Sequence, residues 1–588
     1  MHRTSSHRPL MLELLEARTL LAGSWTPLVN PAPGVIATTL LLSDGTVMAH
    51  ASVEENPSRD WYQLTPDASG SYVNGSWSQL ASMQNTRVYY PSQVLPDGRV
   101  LIMGGEYGNG ANTAEVFDPL ANSWTSTPNG PLGDIGDTPS EILPDGRVLL
   151  SYRFDGRNNI YDPVSNTWTA AATKLRNTRS DEESWVLLPD QTILTVEVFN
   201  VPHAQKYIPS ENRWVDAGNL PFSLIAGSEI GPGLLLPDGR AFFIGANGRT
   251  ALYTPPADPH DPGTWAGGPT IPQGLGDWDG PAAMMPNGKV LLAASPSNYG
   301  RPTTIFEFDP VTNAISQVDS PGFSGPSYEG RMLMLPSGEV LWSYSNTQLY
   351  VYTPDGDPDP SWKPTIADVT DNGDGTFLLT GTQLNGISEG AAYGDDAEMS
   401  SNYPIVRLVD GDGNVFYART SYWSNTGVAT GDALVSTTFT FPGGISPGDY
   451  SLFVVANGIA SDPVDFTVGG NGPAPGHGSG KVIHPANCQG PGIFAAALAP
   501  FAKFLVGHDD GVISNRENGD HTRAAFQPMS GLNFSTMEST TAGFTQNAAG
   551  ARLGLLSLSF RPENTGGAMN DVLDAFIGSI LFPPNSDL

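Results

Sequence analysis

The sequence predicts an all-β protein: a seven-bladed β-propeller, then a β-sandwich, then an irregular C-terminal tail. Two observations predict it. An apolar run, a Pro/Ser-Asp/Asn-Gly turn and a second apolar run recur seven times within the first 360 residues. Charged residues make up only 15%, against 67 Gly and 51 Pro, a composition suited to short strands and tight turns rather than long surface helices. At 588 residues the chain exceeds one core and calls for two to four domains.

The seven instances are Leu42-Ser-Asp-Gly-Thr-Val47, Leu95-Pro-Asp-Gly-Arg-Val100, Leu143-Pro-Asp-Gly-Arg-Val148, Leu188-Pro-Asp-Gln-Thr-Ile193, Leu236-Pro-Asp-Gly-Arg-Ala241, Met285-Pro-Asn-Gly-Lys-Val290 and Leu335-Pro-Ser-Gly-Glu-Val340. Asp-Gly or Asn-Gly between apolar runs is the strongest short hairpin signal, because both residues tolerate the positive φ of tight turns. The turns fall at residues 44, 97, 145, 190, 238, 287 and 337. An aromatic third strand and a fourth strand bearing Trp follow: Phe117 then Trp124, Tyr161 then Trp168, Tyr207 then Trp214, Tyr253 then Trp265, while Phe308 has no Trp after it. These rings are packing residues. Residues 24–362 form the propeller, with Trp25 expected to close the last blade and Trp362 the competing candidate.

From 363 to 468 the pattern changes to alternating strands with turns at Asp371-Asn-Gly-Asp-Gly375 and Asp410-Gly-Asp-Gly-Asn414, which suits an immunoglobulin-like sandwich. Neither turn carries the distant Glu of an EF-hand loop, so they are read as hairpin turns. Residues 469–481 form a Gly/Pro/Ser-rich linker. The tail, 482–588, has no assigned fold and is expected to be partly disordered, with short helices at Ile493–Leu498 and Met569–Leu581.

Residues 1–23 have the look of an export leader. Leu12-Glu-Leu-Leu-Glu-Ala-Arg-Thr-Leu-Leu21 resembles the Leu-Glu-x-Arg-x-Leu-Leu leader of many exported planctomycete proteins, and a short amphipathic or disordered start is the alternative. No apolar stretch is long enough to span a bilayer as a helix. The net charge of −32 argues against nucleic acid. A single cysteine, Cys488, permits neither an internal disulfide nor a cysteine-built zinc site.

A period near 50 residues with four strands per unit is the kelch propeller pattern. The order of propeller and sandwich resembles the galactose oxidase and glyoxal oxidase family over residues 24–468. Pro447-Gly-Asp-Tyr-Ser-Leu-Phe-Val-Val-Ala-Asn-Gly458 is similar to that family's "PGYYMLFV…G" segment. The resemblance implies a copper ion held by two Tyr and two His, one Tyr being cross-linked to a Cys and carrying a radical. Tyr89 and Tyr328 stand at the tyrosine positions. Glu329 replaces the first His, Asp395–Tyr403 offers no second His, and Val35–Leu42 contains no Cys. Copper and copper-radical oxidation are therefore not expected.

The same register suggests another site. Eight residues before each turn stand Ile36, Tyr89, Asp137, Glu182, Ile230, Asp279 and Glu329, with Glu229 one residue earlier in blade 5. This position begins the innermost strand, so its occupants ring the mouth of the central channel. Tyr89, Tyr90, Asp137, Glu182, Glu229, Asp279, Tyr328 and Glu329 are the candidate ligand-binding residues. Asp137, Glu182, Asp279 and Glu329 are the candidate ligands for Ca²⁺ or another hard cation, which prefers oxygen donors. Nearby rings, Trp185 and Trp278 among them, would stack on sugar faces. The expectation is an exported, monomeric protein of the extracellular space or cell envelope, binding carbohydrate or another surface ligand. A carboxylate-dependent glycan hydrolase is the alternative, an oxidoreductase by fold alone the second, and a solvated acidic rim with no ligand stays open beside them. No catalytic residue is assigned.

Overall fold

A computed structural model describes residues 23–136, 138–393 and 397–469, and the strands Arg523–Ala524, Phe534–Gln546, Arg552–Pro562 and Leu573–Phe582. The leader residues 1–22, Asp137, residues 470–481 of the linker, Ile493–Leu498, Cys488 and the tail histidines lie outside the described residues. Two compact units divide at residue 483.

Each repeat becomes one blade. In blade 2 the strands are Ser92–Val94, Val100–Met103, Ala114–Asp118 and Ser123–Ser126, paired antiparallel from the axis outward. The turn chemistry is as the sequence requires. Asp44, Asp97, Asp145 and Asp238 each accept the backbone N–H two residues on, at 3.0–3.1 Å. Gly45, Gly98, Gly146 and Gly239 take φ of +75° to +84°. The fourth repeat has Gln191 there, at φ +67°, and its amide donates to the Val428 carbonyl of the second domain at 3.4 Å. A side chain that joins two domains has displaced the glycine.

The outer strands carry an inter-blade staple. Trp124, Trp168, Trp214 and Trp265 lie in register with Phe117, Tyr161, Tyr207 and Tyr253. Their indoles donate to carbonyls at the end of the preceding blade, Ala81, Pro128, Ala172 and Ala217, at 2.8–3.1 Å. In blade 6, where the repeat lacks its Trp, Ile315 takes the place beside Phe308.

Trp25 closes the ring. Ser24–Pro27 pairs antiparallel with Tyr350–Thr353, setting Trp25 beside Tyr352, so blade 7 is completed by the other end of the chain. The Trp25 indole donates to the Asp319 carbonyl at 2.7 Å and its ring lies on Phe323 and Trp342. Trp362 sits in a short 3₁₀ turn, Pro360–Trp362, against the turn glycine Gly288 of blade 6.

The second domain is a curled antiparallel sheet of eight strands between Thr365 and Val468, around Phe377, Leu379, Leu408, Phe439, Leu452 and Phe466. Val415–Ser421 pairs with Ile405–Asp410 through its first half and with Leu434–Thr440 through its second, which carries the chain from one half of the sheet to the other. Both Asp-rich segments are hairpin turns: Asp371 accepts from Gly373 N, and Asp410 from Asp412 N and Asn414 N. One hairpin of this domain, Gly390–Tyr393 with Ala397–Ser400, leaves it and pairs with the innermost strand of blade 6, Pro281–Met284. It also packs on inner strands of blades 1, 2, 5 and 7, so a strand of the second domain lies along the channel.

The tail is not irregular throughout. Its four described strands form an antiparallel sheet in sequence order. Leu573–Phe582 is a strand paired with Arg552–Pro562, where a helix over Met569–Leu581 was expected. An apolar run of this length reads as helix or strand by periodicity alone, and a partner strand decides it. Among the described residues no helix is long and apolar enough to cross a membrane.

Candidate functional site

The position eight residues before the turn has an unusual backbone. Tyr89, Glu182 and Asp279 take φ of +52°, +60° and +51°. A non-glycine residue in this region costs about 1–3 kcal/mol and persists only where its surroundings enforce it. Beside Glu182 the enforcement is visible. Glu183 is buried and paired with buried Lys174 at 2.6 Å, and Lys174 also reaches the Ser180 hydroxyl. Beside Asp279, the buried Asp277 accepts Gly280 N at 2.9 Å, and burial pushes its carboxyl well above the usual carboxylate range.

Three of the ring carboxylates converge. Glu182, Glu229 and Asp279, from blades 4, 5 and 6, each place an oxygen within 4.8 Å of the others. The Tyr299 hydroxyl donates to Glu229 at 2.5 Å, and burial with the Glu229 charge raises its phenol far above the usual value. Glu329 does not join them: it faces Arg301 at 3.3 Å, and burial raises its carboxyl despite that partner. Asp137 lies outside the described residues, between Gly136 and Thr138.

The aromatic candidates part company. Tyr89 meets Tyr328 edge-on at 6.4 Å; Tyr328 meets Tyr299 at 5.5 Å and Tyr299 meets Trp278 at 5.4 Å, a continuous run of rings beside the carboxylates. Tyr90 is not at the mouth. It is 1% exposed and its hydroxyl is 2.9 Å from His50 Nδ1. His50 stacks on Trp61, and burial drives its pKa down to about 3, so the ring is neutral. Tyr89, by contrast, meets Tyr107 and Tyr328 edge-on at 6.0 and 6.4 Å. Trp185, like Tyr90, is buried, edge-on to Trp214.

Several mouth residues escaped the sequence. Tyr299, Tyr107, Glu106, Glu54 and Glu55 lie between the second and third strands of their blades, in segments that vary in length and share no register. Glu106 carries a pKa raised to about 7, first by desolvation and then by the charge of Glu54. The one available signal was position within the repeat: an aromatic or acidic residue shortly after each second strand.

The kelch motif profile matches residues 90–131, which span blade 2. This chain is a kelch propeller resembling galactose oxidase. Galactose oxidase from Gibberella zeae is 39% identical over 56 residues, which span 9% of this chain and 8% of that enzyme's length. Among solved structures, a fungal alcohol oxidase of the AA5 family in complex with copper is 14% identical, covering 76% of this chain and 99% of its own, with a TM-score of 0.47. The extracellular domain of a one-component system from B. thetaiotaomicron is 10% identical, covering 75% and 56%, with a TM-score of 0.39.

The residues of this kelch propeller do not fit a copper-radical centre. Tyr89 and Tyr328 lie together, their ring centroids 6.4 Å apart, but Glu329, in place of a histidine, faces Arg301. His50 is buried with both ring nitrogens engaged, by Tyr90 and the Ser58 carbonyl. Oxygen donors dominate the mouth, which is chemistry for a hard cation.

Proposed function

We propose that this kelch propeller is an exported binding protein that takes a carbohydrate or another extracellular ligand at the acidic end of its channel. In this reading a divalent cation of the Ca²⁺ type is held by Glu182, Glu229 and Asp279, and copper-radical oxidation is not its activity. The convergence of three carboxylates from three blades carries the reading, because like charges so close either take up protons or recruit a cation. Three carboxylates meeting at one point, rather than two flanking a sugar-sized gap, favour the cation over glycoside hydrolysis. Tyr299, Tyr328 and Tyr89 offer ring faces and edges beside it for the apolar side of a sugar.

The test is calcium titration calorimetry on the full chain, with metal analysis after dialysis. One site is expected, with affinity falling at least about tenfold in Glu229→Gln and in Asp279→Asn, a loss of about 1.4 kcal/mol each. At about 100 times the dissociation constant, calcium should raise stability by about 2.7 kcal/mol, seen as a higher Tm than in chelator. Stoichiometric copper with a radical absorption band, or no response to calcium at all, would overturn the reading.

A further inference from the structure

The outer turn of blade 5 departs from the repeat. Four residues join the third and fourth strands in blades 2, 3, 4 and 6, at 119–122, 163–166, 209–212 and 310–313. In blade 5 the same connection runs over 255–263, Pro-Pro-Ala-Asp-Pro-His-Asp-Pro-Gly, between Thr250–Thr254 and Thr264–Gly267. The extra length carries His260 across to the neighbouring blade. Its Nδ1 lies 2.7 Å from Asp258 Oδ1 of its own turn. Its Nε2 lies 2.9 Å from Glu211 Oε1, in the short turn Pro209–Glu211 of blade 4. The turn itself is braced, because Asp258 Oδ1 also accepts the His260 backbone N–H at 2.9 Å and the Asp258 carbonyl accepts Asp261 N at 3.0 Å.

A carboxylate has no proton to donate, and a neutral imidazole has one N–H to give. A neutral ring could therefore satisfy one of these two acids and would turn a lone pair toward the other. Only the imidazolium, which donates from both nitrogens, makes the two contacts together. Glu211 and Asp258 are well exposed, so burial forces no proton onto either. We propose that His260 is an imidazolium clasp that joins the outer turns of blades 4 and 5 and opens when the ring loses its proton. Strands of a blade alternate in direction, so this turn lies at the end opposite the acidic mouth, and the clasp does not depend on a cation bound there.

The charged neighbours are few. Asp261 shares the turn, Arg213 faces Glu211 at 3.7 Å, and buried Lys206, on the third strand of blade 4, acts by charge on Asp258 and Asp261. The Trp265 indole joins the same two blades through the Ala217 carbonyl at 2.9 Å and does not titrate, so the pH-sensitive part of this junction is the clasp. Its hydrogen bonds, to Asp258 first and Glu211 second, raise the His260 pKa above the ordinary value. The sign follows. A histidine whose folded pKa is raised lends stability fully present below its unfolded value, and that stability is lost as pH rises through the folded value.

The test is an NMR pH titration of histidine ring signals in the labelled full-length protein, with His260→Gln identifying the resonance. The His260 midpoint should lie above that of a free histidine, about 6.5, with both ring nitrogens protonated below it. Glu211→Gln removes the charge across the blade boundary and should move the midpoint down; Asp258→Asn should do the same from within the turn. In denaturant melts the advantage of the wild type over His260→Gln should be largest below pH about 6 and vanish above the midpoint. A midpoint at or below the free value, a midpoint that Glu211→Gln leaves in place, or an advantage that ignores pH would overturn the clasp.

Discussion

Trp25→Ala should destabilise the propeller by about 3 kcal/mol or more, the usual cost of removing a large packed aromatic side chain, measured as a lower denaturant midpoint. The side chain contacts Phe323, Trp342 and Tyr352 and donates to the Asp319 carbonyl. Its strand pairs with Tyr350–Thr353, and the Leu28 and Ala32 N–H groups that follow donate to the Leu349 and Thr347 carbonyls, so this segment ties the start of the described chain to blade 7. A propeller without its closing strand exposes an edge on blade 7, so aggregation on heating should accompany the loss. Trp362→Ala removes a ring that rests on a turn of blade 6 and should cost clearly less. Equal costs for the two variants would mean that closure does not rest on Trp25.

Lys174→Met is the second large effect. It leaves Glu183 buried at 0% side-chain exposure with its cation removed. Breaking one half of a buried pair costs about 3–5 kcal/mol, because the remaining charge is uncompensated. Burial already raises Glu183 and Lys174 holds it down, so without the lysine the carboxyl rises further. The variant should be least stable at alkaline pH and recover as pH falls, since a raised folded pKa gives stability that disappears with rising pH. Adding Glu183→Leu removes the stranded charge and should restore most of the loss. Because the pair braces the turn that holds Glu182 at φ +60°, Lys174→Met should also weaken calcium binding, and calorimetry on the variant below its melting range checks that link.

The blades were legible because each hairpin carries its own instructions. An Asp accepts an N–H two residues on, a Gly supplies the positive φ, and apolar runs on either side pair at once; all of this is local. Trp25 was legible as a fourth strand without a blade because its flanking pattern matched the other outer strands. The carboxylate positions were partly legible for the same reason: one register, counted back from each turn, lands on Glu182 and Asp279. The tail strand Leu573–Phe582 was not, since its apolar spacing admits two periods and only pairing with Arg552–Pro562 separates them.

Local pattern thus determined the seven blades, their closing strand and the absence of a copper donor set from the positions where the resemblance would put it. Tertiary structure decided the rest. Which of the ring acids meet is set by blade orientation and by left-handed backbone at three positions, so Glu329 turns to Arg301 while Glu229, off the register, joins Glu182 and Asp279. Tyr90 was removed from the mouth by its contact with buried His50, which stacks on Trp61. The second domain's hairpin Gly390–Tyr393 pairs with the inner strand of blade 6, Pro281–Met284, and no periodicity in a sequence records a contact made only when two domains close on each other.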